Sequence, residues 1–255
     1  MRPQRATNSK KLLEEIERLR LSDEIDEFTF ARLEREIDKL LKVEPLISYM
    51  LNGILAGLRC DLSSIHKNFQ TALNLAIMKE DKATVLDNYA TSMWINGYFS
   101  EASKLGMESY ENFPSPHFAQ QNILRLGAVG LFHQATNLIR KRPPNEQDND
   151  KRRFFFEVEQ FMDQQDVSDE SLQQLIEMAI AVLHKHKFFN FRDHDGATQM
   201  ELVGDESDLC FCYTIKVKGS MAEVIDLNYE LAREIAKSGL PTSLTLNFVP
   251  MYEVA

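Results

Sequence analysis

The chain has 255 residues, of which 44% are hydrophobic and 27% are charged, a balance typical of globular proteins. Its 39 acidic side chains outnumber the 29 basic ones and give a formal charge of −10, which disfavours binding to nucleic acid and to anionic membranes. No apolar run reaches the roughly 18 residues of a membrane span, and the three cysteines are too few for a disulfide framework. The sequence predicts a cytoplasmic protein.

The first 44 residues predict an N-terminal helical hairpin. Apolar residues recur at helical spacing from Ser9 to about Leu21 and again after Ser22. Ser22 is the expected N-cap of the second helix, because acidic residues follow it where the helix dipole favours negative charge. The hairpin would either cap one end of a helical array or form a dimerisation arm.

Residues 45–142 predict helical hairpins that repeat. The stretch from Thr84 to Pro114 is typical of two antiparallel helices joined at Asn96-Gly97, and Gly53 and Gly57 suit close helix packing in the hairpin before it. An aromatic residue followed three positions later by alanine occurs three times at a spacing of 30 and then 33 residues. The pairs are Phe69 and Ala72, Phe99 and Ala102, and Phe132 and Ala135.

The placement of Ala90, Gly97, Phe99, Ala102 and Pro114 resembles a tetratricopeptide (TPR) repeat, a helix-turn-helix unit of about 34 residues. The resemblance covers roughly residues 46–142. It implies a scaffold of stacked hairpins that binds a partner protein or peptide on its concave surface. The polar first-helix residues expected to be exposed on that surface, and thus to contact the partner, are Asn88, Ser92, Asn122 and Arg125.

A change in composition follows the predicted repeats. Residues 143–167 predict a linker and a short helix, and residues 168–255 predict a small α+β domain whose first helix is capped by Ser168. The predicted strands are TQMELV (198–203), LCFCYTIKV (209–217) and TSLTLNFV (242–249), with a turn at 204–207. A capping box of Ser220 and Glu223 opens the second helix, which is expected to end at Gly239.

The predicted fold class is therefore mostly α. A TPR-like α-hairpin array precedes a small α+β domain in the order α-β-β-α-β, with a three-stranded mixed sheet. Its last strand is expected to run parallel to the second, because a right-handed crossover connects them.

One segment carries metal-ligand residue types, namely His184, His186, Asp193, His194 and Asp195. A loop that gathers these side chains would make a metal-binding protein or a hydrolase, whereas a polar loop near a helix C-terminus explains them equally well. Cys210 and Cys212 would share one face of a strand and fit small buried hydrophobes better than a zinc or redox motif.

The predicted function is non-enzymatic protein–protein interaction, with no catalytic residues, cofactor or metal. The acidic charge also suits an inhibitor or antitoxin of a basic partner, or a component of a bacterial multi-protein system, and the C-terminal domain suits self-association. Two alternatives stay open: metal chemistry in the loop from His184 to Asp195, and RNA binding by the C-terminal domain, although that domain lacks a basic strand with interleaved aromatic residues.

Overall fold

The structure is a computed structural model that divides into two compact units. Unit 1 comprises the described residues from 3 to 118, and unit 2 comprises the described residues from 119 to 255. The order of elements confirms the predicted fold class, because a mostly helical chain ends in a small three-stranded mixed sheet. The residues that the structure describes are 3–20, 22, 26–142, 149–188, 198–205 and 208–255.

Unit 1 consists of helices joined by short turns. Pro45 opens the third helix, where the missing N–H of proline costs no hydrogen bond. The helices are α1 (Pro3–Arg20), α2 (Glu27–Leu40), α3 (Pro45–Leu58), α4 (Leu62–Leu75), α5 (Lys79–Ile95), α6 (Phe99–Asn112) and the start of α7 (Pro116–Ala128).

The start of α2 differs from the prediction. The carboxylate of Asp26 accepts hydrogen bonds from the backbone N–H of Thr29 at 2.9 Å and from its hydroxyl at 2.7 Å. Asp26 is therefore the N-cap, and the predicted cap at Ser22 is wrong. Ser22 instead continues the last turn of α1, because its N–H donates to the carbonyl of Leu19 at 3.0 Å.

Two glycines of α3 allow close helix packing, as the sequence predicts. A Cβ added to Gly53 would lie 2.7 Å from the ring of Phe69 on α4, and one added to Gly57 would lie 3.1 Å from the Cβ of Ser92 on α5. The glycines thus face different neighbours, one inside the hairpin and one in the next hairpin. Neither site has room for a larger residue without a shift of its neighbours.

Unit 2 begins within α7 and ends in the sheet. α9 has 16 residues and is longer than the short helix that the sequence predicts, while residues 143–148 of the predicted linker lie outside the described residues. The remaining elements are α8 (Phe132–Arg140), α9 (Asn149–Gln164), α10 (Asp169–Lys185), β1 (Thr198–Val203), β2 (Cys210–Val217), α11 (Met221–Lys237), α12 (Thr242–Asn247) and β3 (Phe248–Val254).

The sheet has the order β1-β2-β3, with β1 antiparallel and β3 parallel to β2. This topology was predicted, but the last strand was placed too early, since Thr242–Asn247 form α12 and β3 begins at Phe248. Short apolar runs fit a strand and a helix equally well. In this segment Leu244 is buried and Leu246 is exposed, so the apparent alternation does not mark one buried strand face.

The sheet of unit 2 shares its core with helices of the same unit. The ring of Phe211 on β2 lies 5.5 Å from that of Phe132 on α8 and 5.6 Å from that of Phe248 on β3. The buried hydroxyl of Tyr213 donates to the carbonyl of Ala128 at 2.7 Å. The α+β segment and the end of the predicted repeat region are therefore packed into one unit.

The same backbone turn joins the helices of four successive pairs. At Gly97, which has a φ of +77°, the N–H groups of residues 97 and 98 donate back to the carbonyls of residues 94 and 93. The equivalent pair of bonds occurs around Cys60, Gly130 and Asp166, each of which also has a positive φ. This is the Schellman geometry that ends many helices. The pair α9 and α10 therefore closes like the three earlier hairpins. The sequence had instead predicted that α9 belongs to the segment 143–167 and α10 to the α+β domain.

Candidate protein-interaction surface

Ser92 lies inside the packing of unit 1 and not on an open surface. Its side chain is 2% exposed, and its Cβ lies where Gly57 of α3 meets α5. The carbonyl of Ser92 accepts a hydrogen bond at 2.8 Å from the amide of Asn96, which also donates to the carbonyl of Gly57 at 3.0 Å. Ser92 thus belongs to the contact between two first helices, and its predicted exposure is wrong.

Helix α1 covers the face of α3 and α5 on which partner contacts were predicted. Ile16 of α1 is fully buried there. The cavity that remains measures about 10 Å³, roughly the space of one water molecule. Its lining comprises Ile16, Glu17 and Arg20 of α1, Ile54 and Leu58 of α3, and Asn88, Thr91, Ser92 and Ile95 of α5.

Asn88 is half-buried at this cavity, and its amide already has a local partner. The Nδ2 group donates to the carbonyl of Thr84, one turn earlier in α5, at 2.8 Å. A helical residue that bonds its own backbone in this way has less capacity left for a partner. Of the four predicted contact residues, Asn88 alone keeps a partly open side chain.

Asn122 and Arg125 on α7 are buried, and Arg125 is among the largest fully buried side chains of the described residues. Their predicted exposure is therefore wrong as well. A helical pattern places a polar residue on one side of its own helix, but it does not show what packs against that side. The predicted set does not form one open groove, because three of its four members are inaccessible.

The exposed apolar residues of unit 1 instead gather at the turns between hairpins. Among the described residues of this unit, seven large apolar side chains are exposed, and six of them lie at these turns. Ile77 is the most open, at 93% exposure, and the only one elsewhere is Phe28 at the start of α2. We define the turn surface as Leu41 and Val43, Leu75, Ile77 and Met78, and Phe113.

These turns lie at the same end of the helical array. Hydrogen bonds near the helix ends show that α2 and α3, and likewise α5 and α6, run antiparallel, whereas α3 and α5, the first helices of neighbouring hairpins, run parallel. These bonds run from Ser48 to the carbonyl of Ile37 (3.0 Å), from Ser109 to that of Ala83 (2.8 Å), and from Asn96 to that of Gly57 (3.0 Å). In such an array every second turn returns to the same side. The α2–α3, α4–α5 and α6–α7 turns are therefore neighbours along one edge.

The turn surface combines apolar side chains with charged ones. Its apolar side chains are interrupted by charges of both signs: Lys42 is exposed and Glu44 half-buried on one turn, and Lys79 and Glu80 are exposed on the next. Apolar patches with a polar rim mark contact surfaces on soluble proteins. The sequence contained a signal for this surface, because the apolar run from Leu75 to Met78 continues past the end of α4.

A second polar feature lies in unit 2, where His133 of α8 stands between two carboxylates. Its Nδ1 is 2.8 Å from an oxygen of Asp169 and its Nε2 is 3.0 Å from an oxygen of Asp163. Asp169 also accepts the backbone N–H groups of His133 and Gln134, at 3.0 and 3.1 Å. The N-cap residue of α8, Leu131, makes no side-chain capping hydrogen bond, and Asp169 of α10 caps this helix end in its place.

The charge of His133 is set by these neighbours. Burial disfavours the protonated ring, but the hydrogen bonds and negative charges of Asp163 and Asp169 outweigh it and raise the pKa of His133 above its ordinary value. Both ring nitrogens are committed, which leaves none to act as a base. The adjoining open depression, about 460 Å³ in volume, is lined by eight of the described residues, half of which are acidic and include Asp166 and Glu170.

The predicted metal-ligand segment is only partly described. His186 pairs with Glu230 of α11 at 2.7 Å, and Asp193, His194 and Asp195 lie outside the described residues. Within the ranges that the structure describes, no group of three or more His, Cys, Asp and Glu side chains could hold a metal ion.

The paired cysteines of β2 share one face, as predicted, but they are half-buried and not fully enclosed. Burial, reinforced by the neighbouring Cys212, raises the pKa of the Cys210 thiol to about 11. A thiol in that state is a poor nucleophile and metal ligand.

Among the helices of the described ranges, none combines the length and apolar character that a bilayer crossing requires. Known protein families, curated protein sequences and solved structures contain no match to this chain.

Proposed function

We propose that this chain is a non-enzymatic protein–protein interaction protein whose TPR-like hairpins bind a partner protein through the turn surface. The observation that carries this proposal is the concentration of exposed apolar side chains at one end of the array. Such side chains gain free energy when another protein covers them. The repeated turn at Cys60, Gly97 and Gly130 supports the reading as a repeat scaffold.

The partner is expected to combine an apolar segment with basic residues. Acidic residues exceed basic ones over the whole chain. The excess is larger after residue 118, where there are 21 acidic and 14 basic residues. A field of this sign speeds the association of a basic protein, and salt screens it. An inhibitor or antitoxin of a basic protein is the narrower form of this proposal.

The test compares three forms of the tagged full-length chain purified from its native host. We expect the double variant Ile77→Lys/Met78→Lys to lose the protein that the wild type recovers, because two charges replace exposed apolar contacts. Phe28→Lys is the matched control, since Phe28 is 78% exposed but lies outside the turn surface. Equal recovery by wild type and double variant would contradict the proposed surface. Thermal unfolding verifies that each variant is folded.

A further inference from the structure

Helix α11 has a second apolar face that is exposed in the part of the chain that the structure describes. Its inner face is buried through Val224, Leu227 and Leu231. On the outer side, Ile225 is 46% exposed and Tyr229 is 66% exposed. Exposed small residues extend this side in both directions, giving the outer stripe Ala222, Ile225, Tyr229, Ala232 and Ala236.

The spacing of the outer stripe is that of a helix-pairing seam. Its members follow one another at intervals of three, four, three and four residues, which keeps them in line along about four turns of helix. Large Ile225 and Tyr229 occupy one half of the stripe, and small Ala232 and Ala236 occupy the other. An antiparallel second copy would set Tyr229 against Ala232 and Ile225 against Ala236, so that each large side chain meets a small one.

Charges beside the stripe favour the same arrangement. Most charged residues of α11 have partners within the chain: Glu223 closes the capping box, Glu230 binds Lys185 and His186, and Glu234 pairs with Lys237. Among the described residues, no ion pair is recorded for the other two, Asp226 and Arg233, and both are exposed.

Asp226 and Arg233 flank the same edge of the outer stripe, one position after Ile225 and one after Ala232. In an antiparallel helix pair the residues at this position face each other across the seam. The register that pairs large with small residues therefore also places Asp226 of each copy opposite Arg233 of the other. A parallel pair would not bring these two charges together.

We propose that a second copy of this chain docks on the outer stripe of α11, with the two helices antiparallel about a two-fold axis between Tyr229 and Ala232. The contact is isologous, so it closes as a dimer and does not propagate. A single helix pair lies at the small end of specific interfaces, so the dimer forms at micromolar and not nanomolar concentrations. The proposal is independent of the turn surface, which belongs to unit 1.

Charge reversal across the seam tests the proposal by sedimentation equilibrium over a wide range of protein concentration. Asp226→Arg sets like charges opposite each other twice, as does Arg233→Asp, and each is expected to weaken the dimer at least about tenfold. The double variant Asp226→Arg/Arg233→Asp restores both pairs and is expected to restore the dimer. Both positions are exposed, and circular dichroism confirms that the variants fold.

Three results would overturn the proposal: a monomer at every concentration, a dimer that the single reversals leave unchanged, or a double variant as weak as the single ones. The Ile77→Lys/Met78→Lys variant serves as the matched control for another surface. It is expected to dimerise like the wild type, so that a loss of partner binding and a loss of self-association remain distinguishable.

Discussion

His133 shows how a single residue joins three elements of unit 2. Its ring links α8 to Asp163 on α9 and to Asp169 on α10, and the same Asp169 carboxylate caps α8. A protonated ring fits this position best, because both nitrogens then donate to acceptors that carry negative charge. The residue is a positively charged bridge in a mainly acidic surrounding.

Protonation of His133 is therefore expected to make stability depend on pH. Its raised folded-state pKa means that the stabilisation is fully present below the unfolded value of about 6.5 and is lost as the pH rises through the folded value. We expect the free energy of unfolding of the wild type, measured by urea titration, to fall as the pH rises through this range. His133→Gln should flatten the dependence, and an unchanged slope would show that the bridge does not contribute. His117→Gln is the histidine control.

At the scale of elements, the same turn occurs four times, but glycine occupies its positive-φ position in only two of them. Each of the four turns needs a residue with positive φ, which glycine adopts without steric cost. Gly97 and Gly130 meet this need, whereas Cys60 holds a φ of +58° and Asp166 one of +53°. The hairpin geometry is thus maintained by its hydrogen bonds even where the residue type is unfavourable.

We expect Cys60→Gly to stabilise the protein by about 0.5 to 1 kcal/mol, because it relieves the left-handed conformation of a residue with a Cβ. Gly97→Ala makes the opposite exchange in the equivalent turn and should destabilise it by about 1 to 2 kcal/mol. Chemical denaturation of both variants measures the two changes. Effects of equal sign would contradict the equivalence of the turns.

Helix α1 decides which face of unit 1 is open. Ile16 is fully buried beside α3 and α5. Ile16→Asp places a carboxylate in that contact and is expected to cost about 3 kcal/mol or more, with α1 detaching first. Hydrogen exchange should then rise in α1 and on the covered face of α5. Lys11→Asp, at an exposed position of the same helix, is the control, and equal exchange in both variants would argue against the covering role.

At the scale of the whole molecule, both proposed binding surfaces consist of apolar residues that stay exposed. Unit 1 exposes most of its large apolar residues at the turn surface, and unit 2 exposes Ile225 and Tyr229 along α11. The two surfaces have different chemistry: mixed charges surround the first, whereas self-complementary charges flank the second. Under the two proposals, the first surface binds a different protein and the second binds another copy of the chain.

The sequence alone was sufficient for many of the local elements of this protein. Helical periodicity located the hairpins, Gly97 and Gly130 marked their turns, and Ser220 with Glu223 marked the start of α11. Each of these signals acts within a few residues of the chain, through backbone sterics and local hydrogen bonds. The parallel pairing of the last strand was anticipated on a different ground, the right-handed crossover that connects it to the second strand.

Only the tertiary structure decided which side chains are accessible. Ser92, Asn122 and Arg125 are polar and lie on helices, yet they are buried. Their burial depends on side chains and helices that pack from elsewhere in the chain, and no local pattern encodes such an approach. The same lack of information about distant packing explains why the alternating segment of α12 was predicted as a strand. It also explains why the sequence did not show that the apolar residues of the outer stripe of α11 are exposed and not part of the core.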